Sequence, residues 1–175
     1  MEEKNEFRDL LVHEHLHDLS FLWVKPDEVE QPYRDLLCHE NDMTSTLSDF
    51  HGGEVELQIF EEGFDSDCYF REVLLKVGGK SVEYGVIRIF LGNLSQELGS
   101  AITEGRKPLG AILNESGLGY VSRPRGFFKI SGKTFQPDFF PSLGGGFLFG
   151  RYNELVGADE KVLARIIEIL PKENS

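Results

Sequence analysis

CYFREVLLKVGGKSVEYGVIRIFL, residues 68–91, contains two largely apolar runs separated by Gly78-Gly79. Two such runs joined by a Gly-Gly dipeptide are typical of a β-hairpin, because glycine adopts the positive φ angles of a two-residue turn. Immediately upstream, EVELQIFEE (residues 54–62) alternates between polar and apolar side chains, as a strand with one buried face does. These residues predict neighbouring antiparallel strands.

The middle of the chain repeats these patterns. LSQELGSAITEG (94–105) and KPLGAIL (107–113) predict short helices, the second opened by Pro108 near its first turn. Beyond them, GYVSRPRGFFKI (119–130) and GFLFGRYNELV (146–156) predict two further strands.

The two ends of the chain are read differently. FRDLLVHEHLHDLSFLWV (7–24) and VEQPYRDLLCHE (29–40) mix apolar and charged residues without strand alternation, so they predict helices interrupted at Pro26. The closing ADEKVLARIIEIL (158–170) fits both a helix and a strand, and periodicity alone leaves both open.

Strands in series, with helices at the start and in the middle, predict an α+β fold with a single antiparallel β-sheet and helices packed on it. The length of 175 residues suits one domain. We therefore expect a single domain over 1–175, with a helical N-terminal part at 1–40 and a sheet with helical flaps at 41–171.

Composition excludes several classes of partner. The net charge of −12 repels nucleic acid and anionic membranes, so neither is an expected partner, and no apolar run approaches a membrane span. The charged start MEEKNEFRD shows no signal-peptide core, and Cys38 and Cys68 form no disulfide framework or metal spacing. We expect a cytoplasmic protein whose partner is a small molecule. The sequence leaves its oligomeric state open.

Charged residues on apolar faces are the most informative feature. Arg71 shares strand parity with Val73 and Leu75, so it is expected to point into the core. Arg88 shares parity with apolar neighbours in the next strand, as Glu168 does if the last segment is a strand. An unpaired buried guanidinium is unfavourable, so Arg71 either pairs with a protein carboxylate such as Glu168 or lines a pocket for a small anion.

The sequence also contains a literal H-E-x-x-H, at His13, Glu14 and His17. On a helix this spacing suits zinc and a general base. It lies before any predicted strand and no cleft is evident around it, so a solvated helix rich in histidine is the favoured interpretation and no metal site is expected.

Five short segments resemble, in order, motifs of the chorismate pyruvate-lyases, also called 4-hydroxybenzoate synthases. Their patterns are D-S-M-T, R-E-G-F, Y-W-L-R-E-I-L-L, G-K-T-P-L-G and T-E-L-F-L-P. The matching segments are NDMTSTL (41–47), FEEGF (60–64), YFREVLL (69–75), GRKPLGAIL (105–113) and ARIIEILP (164–171). The resemblance implies a chorismate lyase-like fold with a buried site closed by helical flaps, and it favours a strand for the last segment.

The resemblance also implies roles for individual residues. Arg71 would bind a substrate carboxylate, Glu168 would meet the ring hydroxyl, and Met43 and Leu109 would supply backbone amides. The sequence departs from the family where an arginine should follow a glycine, because Val86 follows Gly85. Arg88, the nearest arginine taken to lie on the same face, is an expected substrate-binding residue, and whether it substitutes for the family arginine is left open by the sequence.

The function implied is cofactor-independent lysis of chorismate to 4-hydroxybenzoate and pyruvate, in which Arg71 and Glu168 are the catalytic pair. Aromatisation of the ring supplies much of the driving force, so no metal or cofactor is expected. The alternative is a non-catalytic protein of the same fold that binds an aromatic acid. Both require Arg71 and Glu168 to converge in one closed chamber sized for a benzoate-like ring.

Overall fold

A computed structural model describes residues 6–11, 15–135, 137–140 and 145–173. One seven-stranded sheet, antiparallel at every pairing, dominates this part of the chain, with the order β1-β5-β6-β7-β4-β3-β2. The strands are β1 (Leu22–Val24), β2 (Val55–Asp65), β3 (Cys68–Val77), β4 (Lys80–Phe90), β5 (Tyr120–Ser131), β6 (Phe147–Gly157) and β7 (Val162–Ile169). The predicted α+β class with a single antiparallel sheet is confirmed.

Four short α-helices with both ends inside the described residues accompany the sheet: α1 (Tyr33–Leu37), α2 (Met43–His51), α3 (Gln96–Thr103) and α4 (Leu109–Ser116). Two 3₁₀ helices, Pro26–Glu28 and Leu91–Asn93, lie between them. The Asp42 side chain caps α2 by accepting a hydrogen bond from the Ser45 amide at 2.8 Å, and Pro108 stands at the N-cap of α4. Within the described residues, no helix has the length and hydrophobicity of a membrane span.

The predicted hairpin over residues 68–91 forms from β3 and β4. Gly78 and Gly79 have φ angles of 56° and 79°, the left-handed pair that a two-residue hairpin turn requires. One bulge interrupts the pairing: Lys76 pairs with Ser81, but Leu75 pairs with Glu83. The extra residue shifts the register by one from there onward, so each later side chain of β4 lies on the face opposite to the one that a bulge-free hairpin gives it.

The last strand, β7, is central, between β6 and β4. This settles the ambiguity of residues 158–170 in favour of a strand, and it buries both faces of the segment, which is why apolar residues there do not simply alternate.

The prediction that residues 1–40 are helical is wrong for Leu22–Val24, which form β1 and pair with Phe127–Lys129 of β5. β5 would otherwise present an open edge, and a short aliphatic and aromatic run immediately before Lys25-Pro26 can pair with it. Tertiary pairing thus overrides the mixed composition that favoured a helix.

The sheet is covered on both faces. The four helices pack on one face, around a core that includes Leu37, Leu47, Ile102 and Leu113. The other face packs against the N-terminal residues and the segment after β5, through Phe7, Leu10, Leu16, Phe135 and Phe140. Because both faces are covered, the central strands are buried on both sides.

Gly150 allows β6 and β7 to approach closely in the middle of the sheet. A Cβ at this position would lie 2.4 Å from the Glu168 carbonyl oxygen and 2.6 Å from the Phe128 ring. Only glycine fits there. Its neighbour Arg151 is the cross-strand partner of Glu168, so this close contact sets the two charged residues side by side.

Candidate functional site

A small cavity lies on the helix-covered face of the sheet, beneath the N-terminal ends of α2 and α4. Its volume is about 40 Å³. Its apolar wall comes from strands β2, β3, β4, β6 and β7, through Leu57, Val73, Ile87, Leu155 and Ile166. Four of the predicted site residues line it together: Arg71, Glu168, Met43 and Leu109.

Arg71 is fully buried in the cavity wall, and its charge has no hydrogen-bonded partner. None of its three guanidinium nitrogens makes a hydrogen bond to any described residue. Burial lowers the pKa of Arg71; the Tyr69 hydroxyl, a polar neighbour that does not meet hydrogen-bond geometry with the guanidinium, and the Glu62 carboxylate oppose that effect. The Tyr69 hydroxyl donates instead to the Glu62 carboxylate. Because a guanidinium keeps its proton in proteins, the site presents a cation with unused donors.

Glu168, by contrast, already has a partner. Arg151 is fully buried beside it and donates from Nε to one carboxylate oxygen, while Nη2 lies 3.5 Å from the other. Nη1 of Arg151 donates to the carbonyls of Leu37 and His39, each at 3.1 Å, at the C-terminal end of α1. This pair therefore ties the sheet to α1 and neutralises the charge of Glu168. The alternative that Glu168 neutralises Arg71 is not the arrangement found.

Met43 and Leu109 are the first residues of α2 and α4, and both side chains are buried. Backbone amides in the first turn of a helix have no carbonyl partner within that helix, and the helix dipole makes this end positive. Two helix N-termini and Arg71 therefore face the same small space. Asp42 also lines it, but this side chain is engaged by the Ser45 amide and by the Asn114 side chain at 3.2 Å.

Two polar residues of the cavity wall were missed by sequence reasoning. Asn153 exchanges hydrogen bonds with Ser122, at 2.8 Å and 3.1 Å, in the buried floor. Glu83 is buried, and its Oε2 makes no hydrogen bond within the described part of the chain. A signal for Glu83 exists in the sequence, because it shares strand parity with Gly85, Ile87 and Ile89, but only the correct register shows that this parity faces the cavity.

Arg88 does not share the cavity, which corrects the expectation that it is a substrate-binding residue. Arg71 pairs with Ile87, so Arg88 lies on the opposite face, where it forms an ion pair with Asp65 at 2.9 Å. The bulge between β3 and β4 is the physical reason, because a one-residue shift in register exchanges the two faces. Val86 also points away from the cavity, into the aromatic core on the other face.

The cavity is too small for the benzoate ring expected from the sequence. A volume of about 40 Å³ leaves space for a few waters, whereas a cavity that holds benzene is about 150 Å³. The N-terminal ends of α2 and α4 close the space over the sheet. Gly110 fits so closely that a Cβ there would lie 2.7 Å from Oγ1 of Thr44 and 3.0 Å from Oδ1 of Asp42. Any ring-sized ligand requires these two helix ends to move outward.

Gly110→Ala is expected to lower the free energy of unfolding by about 1–3 kcal/mol, because the added methyl group overpacks the contact between α4 and α2. Gly99→Ala, in α3, is the matched control, since a Cβ there meets its nearest atom, Cδ2 of Leu91, at 3.8 Å. It should be neutral or stabilising through helix propensity. Urea unfolding of both variants measures the difference. Equal effects would show that the contact at Gly110 is not tight.

Of the H-E-x-x-H segment, the structure describes His17, which does not line this cavity. His13 and Glu14 lie outside the described residues, and His17 is an exposed side chain whose Nε2 is 3.1 Å from Asp18. Among the residues that the structure describes, no group of three or more His, Cys, Asp or Glu side chains could hold a metal ion.

Comparison with known proteins gives a likeness in structure only. No protein-family model and no curated protein sequence matches this chain. Among solved structures, PhnF from Mycobacterium smegmatis is similar with a TM-score of 0.50 and 12% identity, over 75% of this chain and 64% of PhnF. The possible transcriptional regulator YydK from Bacillus subtilis gives 0.49 and 10%, over 69% of this chain and 59% of YydK. A GntR-family transcriptional regulator from Bacillus cereus gives 0.45 and 17%, over 69% of this chain and 94% of that protein.

The chain thus spans less than two thirds of the length of the first two proteins. At these identities the likeness to PhnF concerns the fold and assigns neither a ligand nor an activity. The chain is therefore an α+β protein with a single antiparallel sheet, of a fold that PhnF shares.

Proposed function

We propose that this chain binds a small carboxylic acid in the cavity between the sheet and the N-terminal ends of α2 and α4. The single observation that carries the proposal is the buried guanidinium of Arg71, none of whose nitrogens is hydrogen-bonded within the described residues. Leaving such a group unpaired is unfavourable by several kcal/mol, and a bidentate carboxylate satisfies it. Because nearly all buried polar groups in native structures are hydrogen-bonded, such an exception requires an explanation, and a bound anion is one.

The surroundings of Arg71 favour an anion with an apolar body. The first-turn amides of Met43 and Leu109 offer further donors at two positive helix ends. The remaining wall is mostly branched aliphatic side chains, which suit a ring or short hydrocarbon chain. Because Arg151 is already paired with Glu168, the cation that lines the cavity and can accept a ligand carboxylate is Arg71.

Calorimetric titration with benzoate, 4-hydroxybenzoate and the neutral 4-hydroxybenzamide tests this proposal. We expect both acids to bind and the amide to bind at least tenfold more weakly, because only a carboxylate forms a charged pair with Arg71. Equal affinity for acid and amide would contradict the proposal. The N-terminal ends of α2 and α4 must move outward to admit the ligand. An outward displacement of these helices in the complex is therefore compatible with binding.

A second candidate function is the lysis of chorismate, favoured by the presence of Arg71, Glu168, Met43 and Leu109 around one cavity. In that reaction Arg71 would hold a carboxylate of chorismate, and Glu168 would accept a hydrogen bond from the ring hydroxyl. Two observations weigh against it: Arg151 occupies Glu168, and Val86 and Arg88 both face away from the cavity.

Incubation with chorismate, followed by assay of pyruvate and 4-hydroxybenzoate, separates the two functions. Turnover that is lost in an Arg71→Ala variant with an intact fold would establish the lyase. Binding of 4-hydroxybenzoate without pyruvate formation, which the geometry favours, establishes a binding protein instead.

A further inference from the structure

Glu83 is a third carboxyl group in the cavity wall, besides Glu168 and Asp42. It lies on β4, is 4% exposed, and has an oxygen, Oε2, with no hydrogen bond inside the described chain. A buried carboxyl oxygen without a hydrogen bond is unfavourable, and an ionised carboxylate there would be more so. Glu83 therefore calls for the same kind of explanation as Arg71.

The register of the sheet places Arg71 and Glu83 at opposite ends of the cavity. Arg71 pairs with Ile87 on β4, and Glu83 precedes Ile87 by four residues on that strand. The backbone positions of Arg71 and Glu83 are therefore about 13 Å apart along the strand axis. Midway between them, Glu168 pairs across the strands with Gly85. The cavity thus has a cation at one end, a neutralised ion pair in the middle and Glu83 at the other end.

The groups that face Glu83 decide its charge. From β7 it faces the Glu168 carboxylate, from β6 it faces Arg151, and its cross-strand partner on β3 is the apolar Leu75. Burial and the Glu168 carboxylate raise the pKa of Glu83 well above its ordinary range, and Arg151 opposes them. Arg151 is committed to Glu168 and to the end of α1.

Among the described residues, Glu168 and Arg151 are the charged groups that act on the pKa of Glu83, and neither lies on the helical side. Asp42 at the start of α2 is acidic and Met43 is apolar, and both line the cavity. Burial, followed by Arg151, lowers the pKa of His39, so this imidazole is neutral at neutral pH. These neighbours favour the protonated form of Glu83, in which the carboxyl group is a hydrogen-bond donor.

We propose that the buried carboxyl group of Glu83, whose Oε2 is not hydrogen-bonded and which lies beside the Glu168 position, donates a hydrogen bond that selects ligands with an acceptor at the end remote from the carboxylate held by Arg71. This inference rests on the proposed function, and it narrows the ligand class to carboxylic acids with a carbonyl or similar oxygen across a short apolar body. An ionised Glu83 would instead select ligands that carry a hydrogen-bond donor. Its negative charge would then lie beside that of Glu168.

Calorimetric titration of two matched acids into the native protein, Glu83→Gln and Glu83→Leu tests this selectivity. The probes are benzoate and 4-formylbenzoate, which adds an acceptor-only carbonyl opposite the carboxylate. The native protein should bind 4-formylbenzoate about five- to tenfold more tightly than benzoate, the contribution of one neutral hydrogen bond. Glu83→Gln keeps a donor and should keep the preference, whereas Glu83→Leu should bring the ratio of the two affinities close to one.

The outcomes distinguish the two proposals. Persistence of the preference in the Glu83→Leu variant, with benzoate still bound, would overturn the role of Glu83 and leave the carboxylate site on Arg71 intact. Absence of benzoate binding in all three proteins would overturn the proposed function itself, and the selection by Glu83 with it.

A ligand-free measurement tests the protonation of Glu83 independently. The folded protein binds the proton of Glu83 more tightly than the unfolded chain does, because folding raises its pKa. The resulting contribution to stability is fully present below the pKa of the unfolded chain, near 4.5, and is lost as the pH rises toward the pKa of the folded protein. Glu83→Gln should therefore raise the melting temperature at about pH 8 relative to the native protein, and leave it unchanged at about pH 4. The same difference at both values would show that folding does not shift the ionisation of Glu83.

Discussion

Replacing Arg71 with methionine is expected to abolish carboxylate binding and, at the same time, to leave the protein as stable as before or more stable. The two effects have one cause. The guanidinium is buried without hydrogen bonds, so the ligand-free fold is destabilised by it. Methionine fills a similar length with an apolar, adaptable chain. The variant should gain about 1 kcal/mol or more in the free energy of unfolding, since an unpaired buried ion is worse than a hydrophobic replacement.

Binding should respond in the opposite direction. Removing the partner of a buried carboxylate typically weakens binding by about 2–5 kcal/mol, which is about thirtyfold or more in Kd. Urea unfolding and calorimetric titration with 4-hydroxybenzoate measure the two quantities. Arg88→Met is the matched control, because Arg88 pairs with Asp65 on the other face of the sheet, and this change should not alter the affinity. A marked loss of stability in Arg71→Met would show that Arg71 has a structural partner.

Arg151→Leu is expected to have the largest effect on stability, a loss of about 3–5 kcal/mol in the free energy of unfolding. The substitution leaves the Glu168 carboxylate buried without its cation and removes two hydrogen bonds to the end of α1. Glu83 cannot compensate, because it is another carboxyl group. A loss of this size can unfold a domain of ordinary stability.

A double-mutant cycle separates the ion pair from simple packing. The Arg151→Leu/Glu168→Leu protein contains neither charge, so it should recover much of the stability that Arg151→Leu loses. Denaturant unfolding of the two single variants and the double variant gives the coupling energy. Additive losses would mean that the two side chains act independently, contrary to the geometry of the pair.

Much of the fold was predictable because local chemistry dictates it. The glycine pair at residues 78 and 79 and the alternation after Gly53 identify a hairpin and its neighbouring strand without any tertiary information. Strand parity was also enough to turn Arg71 inward, because the apolar neighbours at 73 and 75 fix which face is buried. The position of Glu168 followed once the last segment was taken as a strand.

What could not be predicted depended on register and on distant pairing. A single bulge near Val82 decides whether Arg88 or Glu83 faces the cavity, and no residue type marks a bulge unambiguously. β1 forms because β5 has an edge to pair with, a fact that residues 22–24 do not contain. Arg151 lies in a strand buried on both faces, where alternation carries no signal, so its pairing with Glu168 was not visible.

A crystal structure of the protein with 4-hydroxybenzoate is the most direct measurement of the central claim, that the buried guanidinium of Arg71 receives a ligand carboxylate. We predict the carboxylate hydrogen-bonded to Arg71, the ring against the aliphatic wall, and the N-terminal ends of α2 and α4 displaced outward to admit it. An acid bound elsewhere, with the nitrogens of Arg71 still without hydrogen bonds, would contradict the account.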